Sequence, residues 1–196
     1  MFIKCNVMMN EREISRGCKQ GNAIAQRALF DKYSPELMAV IFRYVGDDDD
    51  AQDVLQDTFI SAYSNIERFK WEGEGSLRAW LNRIAVNKSL NFLRMAKRLS
   101  ASQMPVEAIG DPPDDNDEDT TTAVNGLDAA TILEMVSQLP DGYRTVFNLY
   151  CLDGYSHQQI AKQLGISEKT SSSQLARAKA LLARKIKTFI NEHNIE

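Results

Sequence analysis

The sequence predicts an all-α protein: two small helical domains joined by an acidic flexible linker, the C-terminal one a helix-turn-helix. Three observations carry that prediction. Apolar residues recur at helical spacing on both sides of the middle of the chain. Residues 100–127 lose that periodicity and collect prolines and acids, a composition that cannot bury enough surface to form a core. Near the C-terminus, Ser156 and Gln159 make a capping box, Gly165 fits a tight turn, and Ser167 caps a following helix. The expected organisation is therefore residues 1–99 as one domain, 100–127 as the linker and 128–196 as the second domain.

A chain of 196 residues with 43% hydrophobic content is long and apolar enough for two small domains. No apolar run approaches a membrane span, and the start lacks a signal-peptide core, so no membrane insertion is expected and the cytoplasm is the expected location. Three cysteines, Cys5, Cys18 and Cys151, are widely spaced and have only two histidines to help them. Neither a disulfide framework nor a zinc site is expected; Cys18 and Cys151 read as buried reduced thiols. No metal and no cofactor is predicted.

The net charge of −4 conceals segregation. Residues 46–64 hold six acids and no bases, 65–99 hold eight bases against three acids, and 100–128 hold eight acids and no bases. Basic patches on a weakly acidic chain fit a protein that touches DNA inside a larger complex and binds it poorly alone, because phosphate neutralisation drives unaided affinity.

From Glu11 to Val45 the pattern is helical, broken at Gly21-Asn22 and again at Ser34-Pro35, which reads as an N-cap followed by a first-turn proline. This part reads as scaffold. The run Asp47–Asp50 lacks the glycine and distal glutamate of a calcium loop, and acids suit a helix N-terminus. The helix that follows has Val54, Leu55, Thr58, Phe59, Ala62, Tyr63 and Ile66 on its apolar side, with Asp53, Gln56, Asp57 and Ile60 opposite. After Phe69 and a glycine-bearing loop, Ser76 can cap a helix carrying Leu77, Trp80, Leu81 and Ile84. At about 100° per residue, Trp80, Ile84, Asn87, Asn91, Arg94 and Arg98 fall on one stripe that turns from apolar to amide to cationic. Such a stripe suits a base and a phosphate backbone; taken alone it also fits ordinary solvated surface with cations near a helix C-terminus.

Beyond the linker, Ile132, Leu133, Met135, Val136 and Leu139 form one apolar set, stopped at Pro140-Asp141-Gly142. Tyr143, Val146, Phe147, Leu149 and Tyr150 form a second, ending at Asp153-Gly154; both helices read as packing supports. The helix after Ser167 buries Leu175, Ala178 and Leu182 and points Lys169, Ser172, Ser173, Gln174 and Arg177 outward. In a major groove, glutamine can read adenine, and lysine or arginine can read guanine or phosphate. Helix-turn-helix geometry also occurs in purely structural bundles, but six bases against one acid from Gly165 to Ile190 favour DNA. His157, near a helix start, reads as a surface residue.

The block Trp80-Leu81-Asn82-Arg83-Ile84-Ala85-Val86-Asn87, preceded by Asp53-Val54-Leu55-Gln56-Asp57-Thr58-Phe59, resembles the promoter-melting domain of the extracytoplasmic-function group of sigma factors. These small bacterial subunits direct RNA polymerase to promoters, and the resemblance covers nearly the whole chain. It implies that Asp53, Gln56, Asp57 and Ile60 dock on the clamp coiled coil of the polymerase largest subunit. It also implies that Asn87 hydrogen-bonds a flipped base of the non-template strand at the −10 element, with Phe69 and Ile84 walling the pocket. Asn91, Arg94 and Arg98 continue that nucleic-acid face. The linker would thread the polymerase channel; a solvated tether is the plainer reading. The second domain would read the −35 duplex through Lys169, Thr170, Ser172, Ser173, Gln174, Arg177 and Lys179. Core RNA polymerase, promoter DNA and an anti-sigma factor are the implied partners. Two departures stand out. Phe69 and Trp80 are two residues further apart than in the family pattern, with Trp71-Glu72 the apparent insertion. Ser172 and Gln174 stand where the family commonly has basic residues, which leaves Lys169, Arg177 and Lys179 for the backbone.

The other reading is a regulator whose helix-turn-helix binds duplex DNA while residues 1–99 sense a ligand. An enzyme is disfavoured by the lack of a phosphate-cradling glycine loop, metal-ligand spacing or nucleophile–base motif.

Overall fold

The computed structural model describes residues 9–100 and 127–193, the side chains of 97–100 excepted; Cys5 and residues 101–126 of the predicted linker fall outside it. Among the described residues there are helices and no strands. The chain divides into two compact units, Met1–Ser102 and Gln103–Glu196.

In the first unit, α1 (Glu11–Lys19) opens on an Asn10–Glu13 capping box and leads to α2 (Ala23–Val45), whose first amides are capped by Asn22. The helices cross closely at Gly17: a Cβ there would lie 2.4 Å from that of Ala25. The expected helix start at Ser34-Pro35 is absent; α2 runs through Pro35 without a break. An interior proline costs about 3 kcal/mol. Here the buried row Leu29, Tyr33, Leu37 and Ile41 continues on both sides of it, and Pro35 itself is exposed, so burial outweighs the lost bond. Gly46 ends the helix in the left-handed conformation.

Asp47 caps α3 (Asp48–Asn65), accepting from the amides of Asp49 and Asp50 at 3.0 and 3.1 Å, so the acidic run serves the helix N-terminus as predicted. A short 3₁₀ turn, Ile66–Arg68, leads to Phe69 and the loop before α4 (Ser76–Ser100). α2, α3 and α4 pack around one core that includes Leu29, Ile41, Phe59, Leu77 and Leu81.

In the second unit, α5 (Ala129–Ser137) is capped by Asp128, whose carboxylate accepts from Thr131 N–H at 2.6 Å. α6 (Asp141–Phe147) begins at Asp141, directly after Pro140, and continues into a π-helical turn, Asn148–Leu152. Arg144 on α6 is buried and donates to the Ser137 carbonyl at 2.6 Å and to Asp141 at 2.9 Å, closing the C-terminus of α5 with a charged hydrogen bond. The helix-turn-helix is α7 (His157–Leu164) and α8 (Glu168–His193). Both arms of the Ser156–Gln159 capping box form, at 3.2 and 2.9 Å. Gly165 makes the turn at φ 69°, a region that favours glycine, and Ser167 Oγ accepts from Thr170 N–H at 3.0 Å. Leu175, Ala178, Leu182 and Ile186 line the buried face of α8, the last three packing against Met135, Val136 and Leu139.

Candidate nucleic-acid interface

α4 carries the predicted stripe. Its N-terminal part is anchored by Leu77, Leu81 and Ala85 in the core, which fixes the neighbouring face outward. Trp80 and Ile84 are half-buried against that core; Asn87, Asn91 and Arg94 are exposed, and Arg94 donates to Asn91 Oδ1 at 2.6 Å. The stripe thus runs from a half-covered aromatic and aliphatic patch to amides and a guanidinium within about four turns. Arg98 lies on the same helix, and its side chain is outside the described set.

Phe69 sits differently from a pocket wall. It is only 4% exposed and packs on Trp80 with ring centroids 5.3 Å apart, so its face is spent on the core and it backs Trp80 from within. Ser76 also departs from its predicted role. It is the first residue of α4, its hydroxyl donating to the Gly73 carbonyl at 2.6 Å and accepting from Glu72 N–H at 3.4 Å, which folds the loop and leaves the helix end to other groups.

Those other groups come from α1, which sequence reasoning took for plain scaffold. The buried carboxylate of Glu11 accepts from Gly75 N–H at 2.8 Å and from the Tyr33 hydroxyl. Lys19 donates to the Phe69 carbonyl at 2.7 Å. Burial, then the bond to Glu11, drives the Tyr33 hydroxyl well above its usual pKa, so it stays a donor. These contacts span 64 and 50 residues, beyond the reach of any local spacing rule.

On α3, Asp53, Gln56, Asp57 and Ile60 are all exposed and share one face, at i, i+3, i+4 and i+7. Ile60 is 58% exposed, an aliphatic side chain left uncovered among polar ones. Asp57 also lies 3.9 Å from Lys88 of α4.

On α8, Lys169, Thr170, Ser172, Ser173 and Lys179 are exposed, while Gln174 and Arg177 are half-buried. Gln174 reaches back beside Gly142, and Thr170 shares a hydroxyl contact with Ser167 at 2.8 Å. His157 is not the surface residue expected. It stacks on Tyr150 at 4.6 Å and 22°, and its Nδ1 lies 3.0 Å from Oγ of the buried Ser171, joining α7 to α8. A lone histidine beside a capping serine gives no sequence signal of that role.

Of the thiols, Cys18 is buried as expected, and burial pushes it up to about 11. Cys151 is exposed instead; it lies in the π-helical turn. Part burial still raises its pKa, with Lys179 pulling the other way. No group of metal-binding side chains gathers among the described residues, and no described helix is long and apolar enough to cross a membrane.

Two all-helical units, one presenting an aromatic-to-amide-to-cation helix and the other a helix-turn-helix with a polar, basic outer face, define a DNA-reading protein. Comparison with known proteins is specific. The Sigma-70 region 2 family matches residues 29–99, and the Sigma-70, region 4 family matches residues 129–182. The ECF RNA polymerase sigma factor SigL of Mycobacterium tuberculosis is 31% identical over 160 residues, 81% of this chain and 87% of the relative. The ECF RNA polymerase sigma-E factor of Haemophilus influenzae is 27% identical over 188 residues, 93% of this chain and 98% of the relative. Among solved structures, CnrH in complex with the cytosolic domain of CnrY shares the fold at TM-score 0.50 and 24% identity, covering 91% of this chain and 97% of that one. The chain belongs to the extracytoplasmic-function group of the sigma-70 family, the promoter-recognising sigma factors of RNA polymerase. That membership replaces the ligand-sensing regulator as a reading.

Proposed function

We propose a division of labour between the two units. Residues 1–99 bind core RNA polymerase and stabilise melted −10 DNA, residues 100–127 link the units through the polymerase channel, and residues 128–196 read the −35 duplex. The observation that carries this reading is the stripe on α4, where half-buried Trp80 and Ile84 meet exposed Asn87, Asn91 and Arg94. An extruded base needs an apolar wall, an amide for its edge and cations for the flanking phosphates, in that order. Asn87 bonds the base edge, Ile84 and Trp80 supply the wall with Phe69 behind them, and Arg94 and Arg98 meet the backbone. Extrusion costs a few kcal/mol, which these contacts offset.

The exposed Asp53, Gln56, Asp57 and Ile60 face docks on polymerase, with Ile60 as its apolar anchor. On α8, Ser172, Ser173 and Gln174 meet base edges, while Lys169, Thr170, Arg177 and Lys179 meet phosphates. The protein performs no covalent chemistry and works in the cytoplasm. Its activity is held by an anti-sigma factor, a proposal in line with the solved complex of the sigma factor RpoE with the anti-sigma factor NepR from Bartonella quintana, whose fold matches at TM-score 0.50.

Gel-shift titration of a promoter duplex with the chain alone, with core polymerase alone and with both tests this reading. A promoter-specific complex only in the mixture is expected. Tight sequence-specific binding by the chain alone refutes it.

A further inference from the structure

The loop between Phe69 and α4 is where a base-capturing surface must be held still; within it, half-buried Trp71 packs on the core, and the ends need anchors of their own. Gly73 and Gly75 take φ of 121° and 84°, and the loop's own bonds are short-range ones among Glu72, Gly73 and Ser76. The two ends of the loop are tied from outside, both by α1. At one end Lys19 donates to the Phe69 carbonyl at 2.7 Å; at the other Glu11 accepts from Gly75 N–H at 2.8 Å. Glu11 is 5% exposed and its second oxygen is engaged by Tyr33 of α2. Burying a carboxylate costs free energy that an apolar residue at the same place would not, so its presence is accounted for by what it positions.

We propose that α1 is a clamp for the base-capture loop, with Lys19 and Glu11 as positioning residues for promoter-strand recognition. The inference rests on the proposed base pocket and adds to it how the pocket's rim is set. Neither residue touches nucleic acid. Lys19 fixes the carbonyl of the residue that backs Trp80, and Glu11 fixes the residue from which the helix carrying Ile84 and Asn87 starts.

The test uses holoenzyme, core polymerase plus full-length chain, and a fluorescent single-stranded oligonucleotide carrying the non-template −10 sequence of a promoter found by run-off transcription. Each variant is titrated with the intact strand and with the same strand abasic at the captured position. Wild type is expected to prefer the intact strand by about tenfold, within the range for one stacked base. Lys19→Met keeps the aliphatic stem and removes the donor. Its preference is expected to fall to about twofold or less, with polymerase affinity and helical content unchanged, and Lys19→Arg is expected to restore it. Glu11→Gln, left with one acceptor oxygen for two donors, should lose it similarly. A merely structural role would lower the folded fraction and leave the ratio intact. Retention of the wild-type ratio by Lys19→Met overturns the clamp. A wild type that binds intact and abasic strands equally overturns the base pocket itself, and the clamp with it.

Discussion

Asn87→Ala tests the proposed base contact of the first unit. The side chain is exposed on the fourth turn of α4, where the buried neighbours Ala85, Val86, Ser89 and Leu90 anchor the helix. Alanine is the better helix former, and exposed substitutions move stability by about 0.5 kcal/mol or less, so folding is expected to be unchanged. Polymerase docking should also be unchanged, since Asp53, Gln56, Asp57 and Ile60 lie on α3. What is lost is the amide contact to a base edge, worth about 1–3 kcal/mol when bidentate, or roughly 5- to 150-fold in the open-complex equilibrium. The assay is permanganate reactivity of promoter thymines with reconstituted holoenzyme, read against promoter-complex formation by gel shift at 4 °C, before melting. Expected is a severalfold or greater loss of reactive complexes with closed complexes and polymerase binding retained. Wild-type reactivity would refute the assignment of Asn87, and equal loss of polymerase binding would place the residue in the protein interface instead.

Four further outcomes follow from the structure. Ile160, fully buried on α7, should cost about 3 kcal/mol as Ile160→Ala and about 1 as Ile160→Val, measured by urea unfolding; a loss under about 1 kcal/mol for alanine would mean that the site collapses freely. Arg177→Ala or Lys179→Ala should lower the salt slope of holoenzyme binding to the −35 duplex by about one, with little change in preference among sequences, if these side chains meet phosphates. In a Cys5→Ser background, iodoacetamide at pH 8 should label exposed Cys151 well before Cys18. The buried Cys18 thiol is raised to about 11, so its stabilising contribution is fully present below its ordinary pKa of 9.0 and is lost as pH rises from there through 11. A Cys18→Ala variant should therefore lose less stability than wild type between pH 9 and 11; parallel pH profiles would contradict the shift.

Most of the fold was legible because it is written in local rules. The capping box at Ser156, the acidic run at Asp47–Asp50 and the turn glycine at 165 are short-range patterns, and each forms where its sequence places it. The helical break expected at Pro35 failed because proline chemistry is local while the buried row through Tyr33 and Leu37 belongs to the whole unit. Cys151 was misplaced for a different reason: the absence of a disulfide or metal pattern says that a thiol is free, and nothing about whether packing covers it. The candidate interface divides in the same way. Asn87, Asn91 and Arg94 share a stripe readable from spacing, whereas the bonds of Glu11 to Gly75 and of Lys19 to Phe69 join residues more than 45 apart. The stacking of His157 on Tyr150 and its bond to Ser171 likewise depend on how α7 and α8 meet. Phe69 was visible as an aromatic in the right place, but only packing shows that its ring faces Trp80 and the core.

Run-off transcription tests the central claim most directly. Purified chain and bacterial core RNA polymerase are incubated with a pool of genomic promoter fragments, and transcripts are mapped with and without the chain. Discrete transcripts that appear only when the chain is added, from start sites sharing paired upstream and downstream motifs, are the predicted result. Transcripts indistinguishable from core polymerase alone, in the presence of a demonstrated chain–polymerase complex, would contradict promoter recognition by this protein.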